Sequence, residues 1–177
     1  MIRLVIAMFL IADHWTIALS RPSVVAFPQR ASLPENPCDL LTIGQVFAAT
    51  GLEVIEMRRV PGIDEIVRAE KEGRNPGPGN ICSYHTRSEF GEIHISIPPQ
   101  AEQNAARYWK ERDNYFRTFP GSAQPVPGLG TDAWIAGGTT LRLLIRDDLY
   151  LGISTQFYQR RSREVVANIA RYVLRQF

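Results

Sequence analysis

His85, Arg87, Glu92 and His94 fall within ten residues of one another. Imidazole and carboxylate are the groups from which zinc sites and general acid–base catalysts are assembled. A zinc site needs at least three protein ligands, and Glu92 is the only near acid on the strand face that the histidines would share, so this set is short of a metal centre. Two exposed or partner-packed histidines on a binding surface are the plainer reading. No metal and no other cofactor is expected, and no catalytic residue is assigned. The only cysteines are Cys38 and Cys82. A redox-active thiol pair would call for C-x-x-C spacing, which is absent. The simplest chemistry left to them is one structural disulfide, with two free buried thiols as the alternative.

Other chemistry is excluded by context. Gly128-x-Gly130-x-x-Ala133 imitates a dinucleotide fingerprint, but it precedes a strand instead of opening a helix, so no helix N-terminus would meet a phosphate. No G-x-S-x-G, H-E-x-x-H or P-loop sequence is present. Tyr84, Tyr108, Trp109 and Trp134 read as core aromatics. A non-enzymatic chain is expected.

The compartment can be read from the N-terminus. Arg3 precedes an apolar run over residues 4–12, the size of a signal-peptide core and too short to span a bilayer. Asp13 and His14 end the run. Residues 1–26 are read as an export signal, cleaved after Ser20 or Ala26; a membrane anchor or a core helix is the alternative. Residues 27–37 form a Pro-rich leader, and residues 38–177 one domain. An oxidising, extracytoplasmic location (periplasmic or secreted) follows, and with it a disulfide. The net charge is only +2, with 45% hydrophobic and 21% charged residues, which excludes a disordered chain and gives no nucleic-acid footprint. Arg160, Arg161 and Arg163 form the one tight basic cluster, a patch for an anionic partner or a solvated turn.

These groups need elements to hold them. Thr42-Ile-Gly-Gln45 is a capping box, and Gly51 ends the helix it opens. Residues 52–60 alternate as a strand, residues 63–72 could form a helical turn, and residues 73–80 are a Gly/Pro-rich loop. Residues 81–87 and 92–98 make a hairpin on Gly91. The expected register sets Arg87 opposite Glu92, His85 opposite His94, Tyr84 opposite Ile95 and Cys82 opposite Ile97. Cys82, Tyr84, Ile93, Ile95 and Ile97 then share the core face, while Ser83, His85, Arg87, Glu92, His94 and Ser96 share the other. A helix over 101–116 is interrupted on its apolar stripe by Arg112, and residues 121–130 are another Pro/Gly loop, which with the loop at 73–80 offers a second place for a binding surface. A hairpin over 132–136 and 139–146 turns on Gly137-Gly138, and a further strand from 149 registers poorly without a bulge. A last helix is capped by Ser162. The fold class is α+β: an antiparallel sheet built from two α-β-β-β halves, helices packed on one face, and a closing C-terminal helix.

Pro37-Cys-Asp-Leu-Leu-Thr42, Cys82-Ser-Tyr84 and Gly128-Leu-Gly-Thr-Asp-Ala-Trp134, ahead of an Ala- and Leu-bearing terminal helix, give the chain a wider likeness. It resembles the small secreted or lipid-anchored bacterial envelope family classed as domain of unknown function 3558, over residues 37–177. The resemblance implies an extracytoplasmic α+β domain with a Cys38–Cys82 bond, and no catalytic residues. The chain lacks a lipobox at Cys38, so lipid anchoring does not carry over, and no stable membrane span is expected in the mature form. The function expected is an extracytoplasmic binding or accessory module of the cell envelope, taking an envelope protein or small ligand and no nucleic acid. The alternatives are a secreted inhibitor of a foreign enzyme and a metal-dependent hydrolase using His85 and His94.

Overall fold

The computed structural model describes residues 32–88, 91–99, 102–156 and 160–177. The expected export signal lies outside them. The described elements are a 3-10 turn Pro37–Asp39, α1 Ile43–Thr50, β1 Val54–Val60, α2 Ile63–Lys71, β2 Ile81–Thr86, β3 Glu92–Ser96, α3 Ala105–Thr118, β4 Ala123–Pro125, β5 Asp132–Ala136, β6 Thr140–Arg146, β7 Leu149–Thr155 and α4 Ser162–Leu174. The seven strands form one antiparallel sheet in the order β1-β2-β3-β7-β6-β5-β4. The class is α+β. Two meanders, β1–β3 and β4–β7, meet where β3 pairs with β7, which is how two halves become one sheet.

Local chemistry explains the elements. Thr42 accepts from the Gln45 backbone N–H and Gln45 reaches back to Thr42, completing the capping box; Gly51, at φ 71°, closes α1 in the left-handed region. β7 pairs with β6 through a register shift between Leu144 and Arg146, the irregularity that the apolar spacing required. Element boundaries differ from expectation in places. The residues expected as a loop at 121–130 contain the short edge strand β4. Ser162 is the first residue of α4 and fully buried, and Arg161 occupies the cap position.

The first face of the sheet carries the main core. Tyr84, Ile93, Ile95, Leu143, Leu151 and Ile153, none of them exposed, pack there against Val46 of α1 and Val166, Ile169 and Val173 of α4. Cys38 and Cys82 are disulfide-bonded, 44 residues apart in sequence. Two residues along β2, the Tyr84 hydroxyl donates to the Leu41 carbonyl at 2.7 Å, and burial pushes its ionisation up. The segment leading into α1 is therefore held to β2 at two points. Packing begins ahead of residue 38, since Leu33 already lies against this core.

The helices do not all share that face. α3 lies on the opposite one, over β5–β7, where Tyr108, Trp134, Leu144 and Tyr150 form a second, smaller cluster with Tyr115 and Phe116 at its margin. Arg112 interrupts the apolar stripe of α3 because Asp132 lies beneath it, 3.3 Å from Nε; the same Asp132 accepts from the Tyr108 hydroxyl at 2.8 Å. The Arg112 guanidinium also covers the Phe116 ring at 4.9 Å. Trp109, expected in the core, is 37% exposed at the rim.

Candidate functional site

Strand alternation sorts the second face of the β1–β3 half. β1 contributes Glu56 and Arg58, β2 contributes Ser83 and His85, and β3 contributes Glu92, His94 and Ser96. α3 packs over β6 and β7 and leaves this half open: the side chains of Arg58 and His85 are 54% and 44% exposed. His85, Glu92 and His94 thus lie together on an open sheet face.

The register departs from expectation by two residues. His85 stands opposite Glu92, Ser83 opposite His94, Tyr84 opposite Ile93 and Cys82 opposite Ile95. A two-residue slip keeps every side chain on its own face, so hydrophobic patterning alone could not choose between the two registers. The turn chooses. The Thr86 backbone N–H and hydroxyl both donate to the Gly91 carbonyl, at 2.8 and 2.9 Å, closing the loop one residue earlier on β2 and one earlier on β3 than an Arg87–Glu92 closure. Gly91 has the expected positive φ, 66°. The expected Arg87–Glu92 pair and the facing histidines are therefore not formed. Arg87 leaves the site and pairs with Glu53 at 3.3 Å.

Glu92 is the hub of what remains. Its Oε2 lies 2.9 Å from His94 Nε2, and its Oε1 lies 2.8 Å from Arg58 and 3.8 Å from His85 Nδ1. The hydrogen bond from His94 does most to hold the Glu92 carboxyl down to about 2, helped by the neighbouring Ser83 hydroxyl and by Arg58, and opposed by partial burial. Glu92 is consequently a fixed negative charge flanked by one permanent cation and two histidines. Ser83 lies on this face as the alternation predicts, whereas Arg58 is a member of the site that the sequence reading did not include. The signal for Arg58 was available in the alternation of Glu56 and Arg58 on a strand whose intervening residue is Met57.

Ser83, His94 and Glu92 invite comparison with a hydrolytic triad, since Ser83 faces His94 and His94 bonds Glu92. The geometry fails at the nucleophile. Ser83 Oγ is fully buried and makes no hydrogen bond to the imidazole, so the base does not activate it and substrate cannot reach it. Among the described residues no three His, Cys, Asp or Glu side chains converge as a metal-binding group. The arrangement can present a carboxylate, a guanidinium and two imidazoles to a partner.

The other candidates are absorbed by structure. In the loop at 73–80, Glu65 binds Arg74 at 2.8 Å and accepts from the Gly77 N–H, and Arg59 donates to the Gly79 carbonyl at 2.7 Å, so that loop is tied down. Of the basic cluster, Arg161 pairs with Glu164 and Arg163 donates to Gln124 of β4. No described helix is long and apolar enough to cross a membrane. Comparison with known protein families, with curated proteins and with solved structures returns no match to this chain.

Proposed function

We propose that this chain is an exported, non-enzymatic binding or accessory module of the cell envelope, and that the open face of β1–β3 is its contact surface. The observation that carries the reading is the unequal treatment of the second face. α3 seals the β5–β7 half with aromatic packing, while the β1–β3 half keeps a charged, hydrogen-bonded cluster around Glu92 in reach of solvent. Antiparallel sheets keep one face wet when nothing is built to cover it, and an organised polar cluster there suits recognition better than storage of charge. The disulfide supports the oxidising address. The likeness to the envelope family of unknown function belongs to the same proposal.

A photoreactive side chain at position 85 or 94, with position 110 on exposed α3 as the control, tests it in the cells that make the protein. Discrete adducts from 85 and 94 and none from 110 are expected. Equal labelling from all three positions would overturn the assignment of the face.

A further inference from the structure

The outer edge of β1 is the one long strand edge of the sheet that no described strand covers. Its sequence, Val54-Ile-Glu-Met-Arg-Arg-Val60, carries opposite charges placed symmetrically about Met57. Ile55 is 48% exposed and Met57 38%, unusual for apolar residues on an edge strand. We propose that this edge pairs with the same edge of a second copy, antiparallel, with the two-fold axis at Met57. The inference stands independently of what the open face binds.

Backbone alternation limits the possible registers. The Arg87 N–H donates to the Glu53 carbonyl, and the Thr86 N–H donates away from β1 to Gly91. Along β2, Ser83 and His85 therefore direct their backbone groups toward β1 and their partners Arg58 and Glu56, so those two point inward. Met57 and Arg59 are left with N–H and C=O groups aimed outward. A second strand must match outward residues with outward ones, which permits only registers that differ by two. Centred on Met57, the pairing sets Glu56 opposite Arg58 of the second copy, twice by symmetry. Centred on Glu56 it would set glutamate against glutamate, and centred on Arg58 arginine against arginine. Charge thus selects one register among the three. Glu56 and Arg58 also fall at the narrow, non-hydrogen-bonded positions of that ladder, where cross-strand side chains interact most closely.

Two features of β1 could serve to discourage edge pairing: its charges, and the register shift between Val54 and Glu56. The shift ends the regular ladder just before the symmetric segment and leaves residues 56–60 straight against β2. The charges repel in the two registers adjacent to the one centred on Met57, so they act as a register selector among the three. An isologous contact of this kind would join the two open faces into one continuous surface with Glu56 and Arg58 at its centre.

The test uses the disulfide-bonded chain at rising concentration in an analytical ultracentrifuge, with two variants. Reversible dimerisation is expected for the unmodified chain. Glu56→Arg and Arg58→Glu should each weaken it at least about ten-fold, because each sets like charges opposite one another at two symmetric positions. Mixing the two variants should restore association as a heterodimer. The introduced arginine of one chain then meets the introduced glutamate of the other, and the unchanged Arg58 of the first meets the unchanged Glu56 of the second. A chain that stays monomeric into the millimolar range, or variants that associate as tightly as the parent, would overturn the proposal. Hydrogen exchange on the unmodified chain gives a reading that needs no variant to fold. The Met57 and Arg59 amides should gain protection as concentration rises, while the Glu56 and Arg58 amides are protected throughout. Association without that gain would place the contact elsewhere and refute the edge.

Discussion

The two halves of the sheet solve the same problem by different means. In the β5–β7 half both faces are covered: α4 lies on one side, and α3 on the other over Trp134, Leu144 and Tyr150. In the β1–β3 half only the first face is covered, and the second presents Arg58, His85, Glu92 and His94. The half without a second helical layer is the half that carries the covalent link and the buried Tyr84–Leu41 hydrogen bond. A covalent and hydrogen-bonded clamp stands in for a missing layer of apolar packing, and the surface left free can be polar without loss of the fold.

The comparison is broken most forcefully by removing the layer that distinguishes the covered half. Trp134 is 2% exposed and contacts Tyr115 and Phe116 at ring-centroid distances of 5.1 and 5.8 Å. Trp134→Ala should cost roughly 3–5 kcal/mol, measured by denaturant unfolding, because α3 cannot collapse into so large a void. A loss below about 1 kcal/mol, the level of an ordinary surface change, would mean that α3 is not packed there as described.

The clamp is the next target. Replacing Cys38 and Cys82 together by serine releases a long loop and should cost about 2–4 kcal/mol. The size of that loss matters less than where it falls. Hydrogen exchange should speed up in β2 and β3, at Tyr84 and Ile95, well before it does in β6 and β7, at Leu143 and Leu151. Uniform loosening of all four positions would show that the bond does not serve one half in particular.

Much of this contrast was legible in the chain, because alternation fixes faces. Cys82, Tyr84, Ile93 and Ile95 on one side, and His85, Glu92 and His94 on the other, follow from a period of two. What alternation cannot fix is a slip of two, and there the side chain of Thr86, which binds the Gly91 carbonyl, decided the register and with it the partners of Glu92. The layer occupied by α3, which an expectation of helices packed on one face leaves out, had a signal of its own in the sequence. Trp134, Leu144 and Tyr150 alternate with Ala133, Leu143 and Leu151, so β5–β7 read as apolar on both faces, a sign of two-sided burial. Arg112 looked like a fault in the stripe because its partner Asp132 lies 20 residues away in another element, 3.3 Å off in space. Arg58 was missed similarly: its tie to Glu92 spans 34 residues.

The smallest effect sharpens the comparison from the open side. Glu92→Gln removes the hub of the polar cluster, yet Arg58 keeps 54% of its side chain in water and His94 is 29% exposed, so both can be rehydrated. The expected cost near neutral pH is about 1–2 kcal/mol, less than the roughly 3 kcal/mol that the full lowering of the carboxyl would contribute, because solvent around Arg58 and His85 screens part of it. Its pH dependence identifies the cause. The Glu92 carboxyl sits at about 2 in the fold against an ordinary 4.5, so its contribution is fully present above 4.5 and disappears as pH falls from there through 2. Unfolding curves of the parent and the Gln variant should therefore run parallel above pH 4.5 and converge below it. A gap that persists unchanged to about pH 2 would mean that the carboxylate charge contributes nothing and that the face is held by packing, as the covered half is. A cost several times larger would mean that the cluster stabilises the open half, where we assign it to recognition.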